Sequence, residues 1–415
     1  MMKNNNAMVV LVLVIFFAIS FITNIMGPIF PSLVTDFNIS VTVAGFLPFS
    51  FFIAYGVMSI PSGILVDSIG EKKVILYAFL LSMMGSLFFV LMPSFIMAMS
   101  ALFLIGSGMA MLQVAINPLL RVAGGQQNFA FYSVLAQLFF GGAAALSPLL
   151  YRYIVQGLTE EPTSGLHTIL EKIVPNNMQW LSMYWVFFLV SLLMIIIVSL
   201  FNFPKVQLED EEKVGSLKVI IDLLKNKTVL LFLFSIIAYV GTEQGIANAI
   251  SLFLKQHHGL EPETIGAKIV SEFWLMLTLG CLLGLFLVKI IDSRLVLKLF
   301  SLGAIASLTF SLFGNKDTAL IAFPLIGFFL SVMWSVIFSL ALNSLPNHHG
   351  SFAGILCTGI VGGGLVSPII GLVAELSGDL RMGFLVVYMT LAYIFSIGFW
   401  AKPLVLNKLF FDRKQ

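Results

Sequence analysis

Charge is what this chain lacks most. Of its 415 residues only 10% are Asp, Glu, Lys or Arg, too few to clothe a water-soluble protein of this length. Cysteine is nearly absent too. Cys281 and Cys357 both fall in apolar runs, which excludes a disulfide framework and a thiolate metal site and leaves packing as their role. The five histidines, His167, His257, His258, His348 and His349, all map to connecting segments. No nucleophile–base pair or metal-ligand cluster shares one depth, so neither an enzyme nor a resident cofactor is expected. A formal net charge of +2 says little about partners until the charges are placed along the chain, and no nucleic-acid partner is expected.

What is present is apolar. Hydrophobic residues make up 59% of the chain, with 40 phenylalanines, and the mean hydropathy is +1.03. This composition predicts an all-α, polytopic membrane protein whose main partner is the lipid bilayer. A span needs about 20 mostly apolar residues. Twelve are expected near 7–34, 44–66, 74–93, 96–120, 129–154, 180–203, 228–254, 263–288, 295–314, 318–344, 350–376 and 382–402. An eleven-span alternative merges neighbours at the tight turns near Pro93 or Lys316. The first apolar run, from Ala7 to about Val34, exceeds a signal peptide and is expected to be a retained helix. With both termini cytoplasmic, the inner segments hold 16 lysines and arginines against 6 outside, which predicts that orientation in a plasma membrane, the inner membrane of a bacterium.

The two halves resemble each other. "GILVDSIGEKKVIL" from Gly63 aligns with "GLFLVKIIDSRLVL" from Gly284, Gly106 with Gly327, and "GGAAALSP" ending at Pro148 with "GGGLVSP" ending at Pro368, at offsets of 221, 221 and 220 residues. The expected organisation is a six-helix bundle over 1–203, a charged cytoplasmic linker with an amphipathic helix over 204–227, and a second six-helix bundle over 228–415. The outer segment 155–179 carries another amphipathic pattern around "LHTILEKIV", suited to a lid or to packing. Parallel repeats of this kind describe a monomeric rocking carrier with its substrate near mid-membrane between the halves.

"GILVDSIGEKK" at 63–73 resembles the loop motif of the major facilitator superfamily, Gly-x-x-x-Asp-x-x-Gly-x-Lys/Arg-Lys/Arg. The resemblance implies gating roles for Gly63, Asp67, Gly70 and Lys73, while Glu71 and Lys72 read as a solvated turn. A narrower resemblance lies in "LQVAINPLLRVAGG" at 112–125, "NFAFYSVLAQLFFGGAAALSP" at 128–148, "YVGTEQGI" at 239–246 and the long run 336–375. These are similar to the sugar carriers of the fucose:proton symporter family, with the glucose/galactose branch the better fit. The resemblance implies import of a neutral hexose by cation symport, with sodium or a proton as the coupling ion. A sugar uniporter, an N-acetylhexosamine or fucose carrier and a non-transporting sugar sensor remain alternatives. A drug exporter would carry Gly-Pro with flanking glycines in the fifth span, where this chain has "GGAAALSP".

Polar residues within the spans supply the site candidates, because hydrocarbon offers them no partners. Gln113 and Asn117 share one face of the fourth span, and a carboxamide offers donor and acceptor at the separation of neighbouring sugar hydroxyls. Interhelical hydrogen bonding is the alternative, at about 0.6–2 kcal/mol per bond. Pro118 is expected to break that helix, and Arg121 near its inner end to gate or snorkel. Asn24, beside Gly27 and Pro28, and Gln137 are further cavity candidates, and Gln244 and Asn248 repeat the four-residue spacing in the opposite half. Trp334 aligns with Gln113 and can lay its indole on a sugar face; Trp274 reads as packing and Asn343 as a helix cap. Glu243, near mid-membrane, is the coupling candidate; Glu272 is a second, with an ion pair to Lys268 as its bland alternative. Proton-coupled members of the family carry acids where this chain aligns Gln113 and Gly27, so their proton relay does not carry over.

Overall fold

The computed structural model describes residues 6–124, 129–159, 165–175, 177–201, 203, 217–345 and 349–403. The side chains of some helical residues, among them Asp67, Asn117, Pro118 and Arg121, lie outside that description, as do 204–216 of the expected linker. Among the described residues, twelve helical segments are long and apolar enough to cross a bilayer: Asn6–Asp36, Val41–Val66, Glu71–Leu91, Phe95–Ile116, Leu135–Leu158, Gln179–Leu200, Lys227–His258, Pro262–Gly284, Ser293–Phe313, Lys316–Leu342, Ser351–Ser377 and Leu380–Trp400. The tight turns near Pro93 and Lys316 do separate two spans each. Helices result because a segment in hydrocarbon must satisfy its own N–H and C=O groups. Serines inside them follow the same rule, Ser82 bonding back to the Ala78 carbonyl at 3.0 Å and Ser301 to that of Leu297 at 2.7 Å.

Several sequence expectations are corrected. The first span, read as one helix, breaks at Asn24–Ile25, between helices Asn6–Thr23 and Met26–Asp36. Pro28 has no N–H for the Asn24 carbonyl four residues back, so the ladder opens before the proline rather than at it. Pro118 does not end the fourth span, whose helix runs Phe95–Gly124. The fifth continues to Thr159, and the amphipathic stretch beyond it is a short helix, Gly165–Ile173. His257 and His258 end the seventh helix, and His167 is fully buried beside Tyr153, so these three are not loop residues. The tenth span is also broken, into Lys316–Leu330 and Met333–Leu342, and the Cys281 thiol donates to the Ser331 carbonyl at that break at 3.2 Å.

The two six-helix bundles repeat each other in detail. A Cβ on Gly106 would overlap the Phe51 carbonyl, and one on Gly327 would overlap the Phe273 carbonyl, the matching contact in the other half. Between the halves, the second span packs on the eleventh and the fifth on the eighth. Among the described residues, the hydrogen bonds that join them lie largely at the end away from the chain termini. There Ser32 donates to Glu263 Oε1 at 3.0 Å and Tyr151 to the same oxygen at 3.4 Å, and the Thr42 backbone N–H donates to Glu375 Oε1 at 2.8 Å. Deeper in, Ser271 donates to the Ala145 carbonyl at 2.7 Å, and Gly27 lies directly against Ala247. Each such bond contributes about 1 kcal/mol, enough to hold this end shut and little enough to release it.

Gly106→Ala and Gly327→Ala are each expected to cost about 1–3 kcal/mol, read as a lower unfolding temperature in detergent, while Gly142→Ala, with open space around it, leaves it unchanged. Glu263→Ala combined with Glu375→Ala is expected to open the closed end. With Cys281 and Cys357 replaced, labelling of Leu252→Cys by an impermeant maleimide should rise several-fold, and unchanged labelling would show that these carboxylates do not hold it.

Candidate functional site

Beneath the closed end lies a pocket between the halves. Its wall from the first half is Thr23 and Ile25 at the break in span one, Phe51 and Phe52 of span two, Ile105 of span four and Tyr184 of span six. Its wall from the second half is Gln244 and Asn248, one turn apart on span seven. Asn248 also lines a second, smaller cavity toward the closed end, with Phe30, Leu252 and Ser367. Its amide donates to Ser367 Oγ at 3.4 Å.

Glu243 sits beside the pocket, half-buried, on the face of span seven turned toward spans eight and ten. Tyr239, one turn earlier, donates to its Oε2 at 2.5 Å, and Gln244 Nε2 donates to its Oε1 at 3.3 Å. Tyr239 in turn meets the Trp334 ring at 6.1 Å, and Trp334 stacks on Phe338 at 5.8 Å. Gln244 therefore touches two things at once, the pocket and the carboxylate.

The other candidates divide. Asn24 is 4% exposed and turns its amide back onto Ser20, donating to the carbonyl at 3.1 Å and to Oγ at 3.0 Å, so it is spent within its own helix and is not a pocket residue. Gln113 is half-buried and eight residues beyond Ile105, about 12 Å further along the helix, and is not part of the pocket wall. Gln137 is exposed and not part of the pocket wall. Glu272 lies 3.6 Å from Lys268, the bland pairing. Trp274 is buried against Phe273, and Asn343 caps the tenth span. Asn117, Asp67 and Arg121 fall outside the described side chains.

In the loop after span two, Gly63 is half-buried in the helix, Gly70 turns the chain at φ +83° and Lys73 is exposed. Lys72 is not the solvated turn residue expected. Its ammonium donates to the Ser199 carbonyl at 2.8 Å and to that of Phe201 at 2.7 Å, tying this loop to the end of span six. Sequence reasoning also missed Tyr239, Tyr184 and the Ser32–Tyr151–Glu263 contact. Only the four-residue spacing of Tyr239 and Glu243 was there to be noticed.

Comparison with known proteins accords with this architecture. The family model described as Major Facilitator Superfamily matches residues 12–368. A glucose/galactose transporter of Brucella abortus biovar 1 (strain 9-941) is 28% identical over 389 residues, covering 92% of this chain and 91% of that protein. The L-fucose-proton symporter of Escherichia coli (strain K12) is 23% identical over 398 residues, covering 92% and 90%. The crystal structure of the transporter FucP in the outward conformation superposes with a TM-score of 0.69 at 22% identity, covering 96% of this chain and 100% of that one. With the family model spanning most of its length and both bundles in place, this chain belongs to the major facilitator superfamily.

Proposed function

We propose that the protein imports a neutral hexose, such as glucose or galactose, by alternating access coupled to symport of a cation, a proton or sodium. The observation that carries this is the placement of Gln244 and Asn248 on a pocket between the halves, with Glu243 and its Tyr239 partner adjoining. Carboxamides replace the water around hydroxyl groups without favouring a charged solute, and the Phe51 and Phe52 rings suit the C–H faces of a sugar. The similarity to a glucose/galactose transporter and to a fucose-proton symporter supports a sugar as substrate. Glu243 is the coupling residue in this proposal. Neutralising a carboxylate removes the cost of carrying its charge through a closed, low-dielectric state. A relay of the fucose-symporter kind is not invoked, since Gln113 and Gly27 cannot titrate.

The units are 1–203, the linker 204–227 and 228–415, and the protein works as a monomer in a bacterial inner membrane with both termini in the cytoplasm, an orientation supported by the 16 to 6 distribution of basic residues. The pocket then lies beneath an extracellular gate. A uniporter, an N-acetylhexosamine or fucose carrier, or a sensor would each give a distinct result in the uptake assay that follows.

Membrane vesicles containing the protein should accumulate labelled glucose or galactose under a proton or a sodium gradient and not without one. Equal uptake with and without gradients identifies a uniporter, and binding without uptake a sensor. Glu243→Gln should abolish accumulation but leave exchange between pre-loaded sides, and concentrative uptake by that variant would move coupling elsewhere. Asn248→Ala should raise the half-saturating sugar concentration roughly three- to tenfold at equal expression, the loss of about one neutral hydrogen bond.

A further inference from the structure

Buried hydroxyls almost always find a partner, and a tyrosine O–H in a packed interior is no exception. Tyr184 departs from this. It is 1% exposed, and its hydroxyl has no hydrogen-bond partner among the described residues. Thr42, Ser182, Ser191 and Ser251 also carry buried hydroxyls without a partner, but among these five Tyr184 is the one that lines the pocket holding Gln244 and Asn248.

The ring cannot turn away to find a partner. Phe89 meets it edge-on at 4.6 Å, Phe187 at 5.5 Å and Trp180 at 6.3 Å, and Trp180 is itself held by a 2.6 Å hydrogen bond from its Nε1 to Asp36. Tyr184 is thus a fixed residue of the pocket wall whose donor and acceptor are unspent among the described residues, in a pocket that Gln244 and Asn248 line from the other half. Leaving such a group unsatisfied is costly unless a bound solute completes it.

We propose that Tyr184 is the first half's hydrogen-bond partner for a hydroxyl of the transported sugar, so that the substrate is gripped by Tyr184 from one bundle and by Gln244 and Asn248 from the other. This rests on the assignment of a neutral sugar to the pocket. It adds that discrimination among sugars is made partly by span six, whose Tyr184 lines the pocket. A sugar held from both bundles ties them together while the closed end is shut. One that lacks the matching hydroxyl leaves the phenol orphaned and binds more weakly.

The test is a set of binding titrations on the purified full-length protein with D-glucose, D-galactose and the monodeoxy-D-glucoses, on wild type and Tyr184→Phe, alongside unfolding temperatures with and without sugar. Tyr184→Phe should fold with undiminished stability, since it deletes an unsatisfied group, yet bind the preferred hexose roughly three- to tenfold more weakly. One monodeoxy sugar should bind wild type more weakly by a similar factor and bind the variant no worse than the parent hexose does. That loss of discrimination is specific to a direct contact; a structural role would weaken all the sugars alike. If Tyr184→Phe retains the wild-type preference against every deoxy sugar, the proposal is wrong. If wild type binds no hexose at all, the assignment of the pocket to a sugar fails first, and the proposal with it.

Discussion

Hydrocarbon does not hydrogen-bond, and this chain is arranged around that fact. Backbone groups are satisfied by helices, serine hydroxyls by the carbonyl one turn back, and the Lys72 ammonium by the frayed end of a neighbouring span. Where the ladder opens, something answers it: Cys281 bonds to Ser331 at the break in span ten. Against this local satisfaction, which Ser182, Ser191 and Ser251 escape among the described residues, the groups turned toward the pocket stand out. Gln244 and Asn248 make only long bonds at 3.3 and 3.4 Å, and Tyr184 makes none among the described residues. Unspent hydrogen-bonding capacity facing a pocket is what a site for a polyhydroxy solute requires.

The repeat and its violations carry different information. Gly106 on Phe51 and Gly327 on Phe273 are the same contact built twice, so the packing of each bundle is inherited from one plan. The functional features break that plan. Trp334 stands where the first half has Gln113, and the tenth span is interrupted where the fourth is continuous. Glu243 has its tyrosine partner one turn away, while Asn24 in the first span turns its amide back onto Ser20. A pseudo-symmetric scaffold supplies two surfaces that can rock against each other, and asymmetric side chains decide what is held between them.

The closed end shows how such motion stays reversible. Its fastenings are two carboxylates, Glu263 and Glu375, that accept from hydroxyl and backbone donors of the other half, without a buried ion pair among the contacts described. Hydrogen bonds of this kind re-form with water at modest cost when the end opens. A buried salt bridge would lock more firmly and demand more to break.

Composition and hydropathy alone determined that twelve helices cross a membrane, and the spaced anchors at Gly63, Gly106 and Pro148 determined that they form two like bundles, because span length and repeat period are local properties of the chain. The four-residue spacing of Gln244 and Asn248 was legible for the same reason. Depth and direction were not. Gln113 and Asn24 carry the same chemistry as the pocket amides, and only the packed bundles decided that one lies about two turns along its helix from the pocket and the other folds back on Ser20. Tyr184 and Glu263 look like interfacial residues in the sequence. They gain their meaning from neighbours distant in the sequence, Thr23 and Phe51 beside Tyr184 in the pocket wall and Ser32 and Tyr151 on Glu263, which no local pattern encodes.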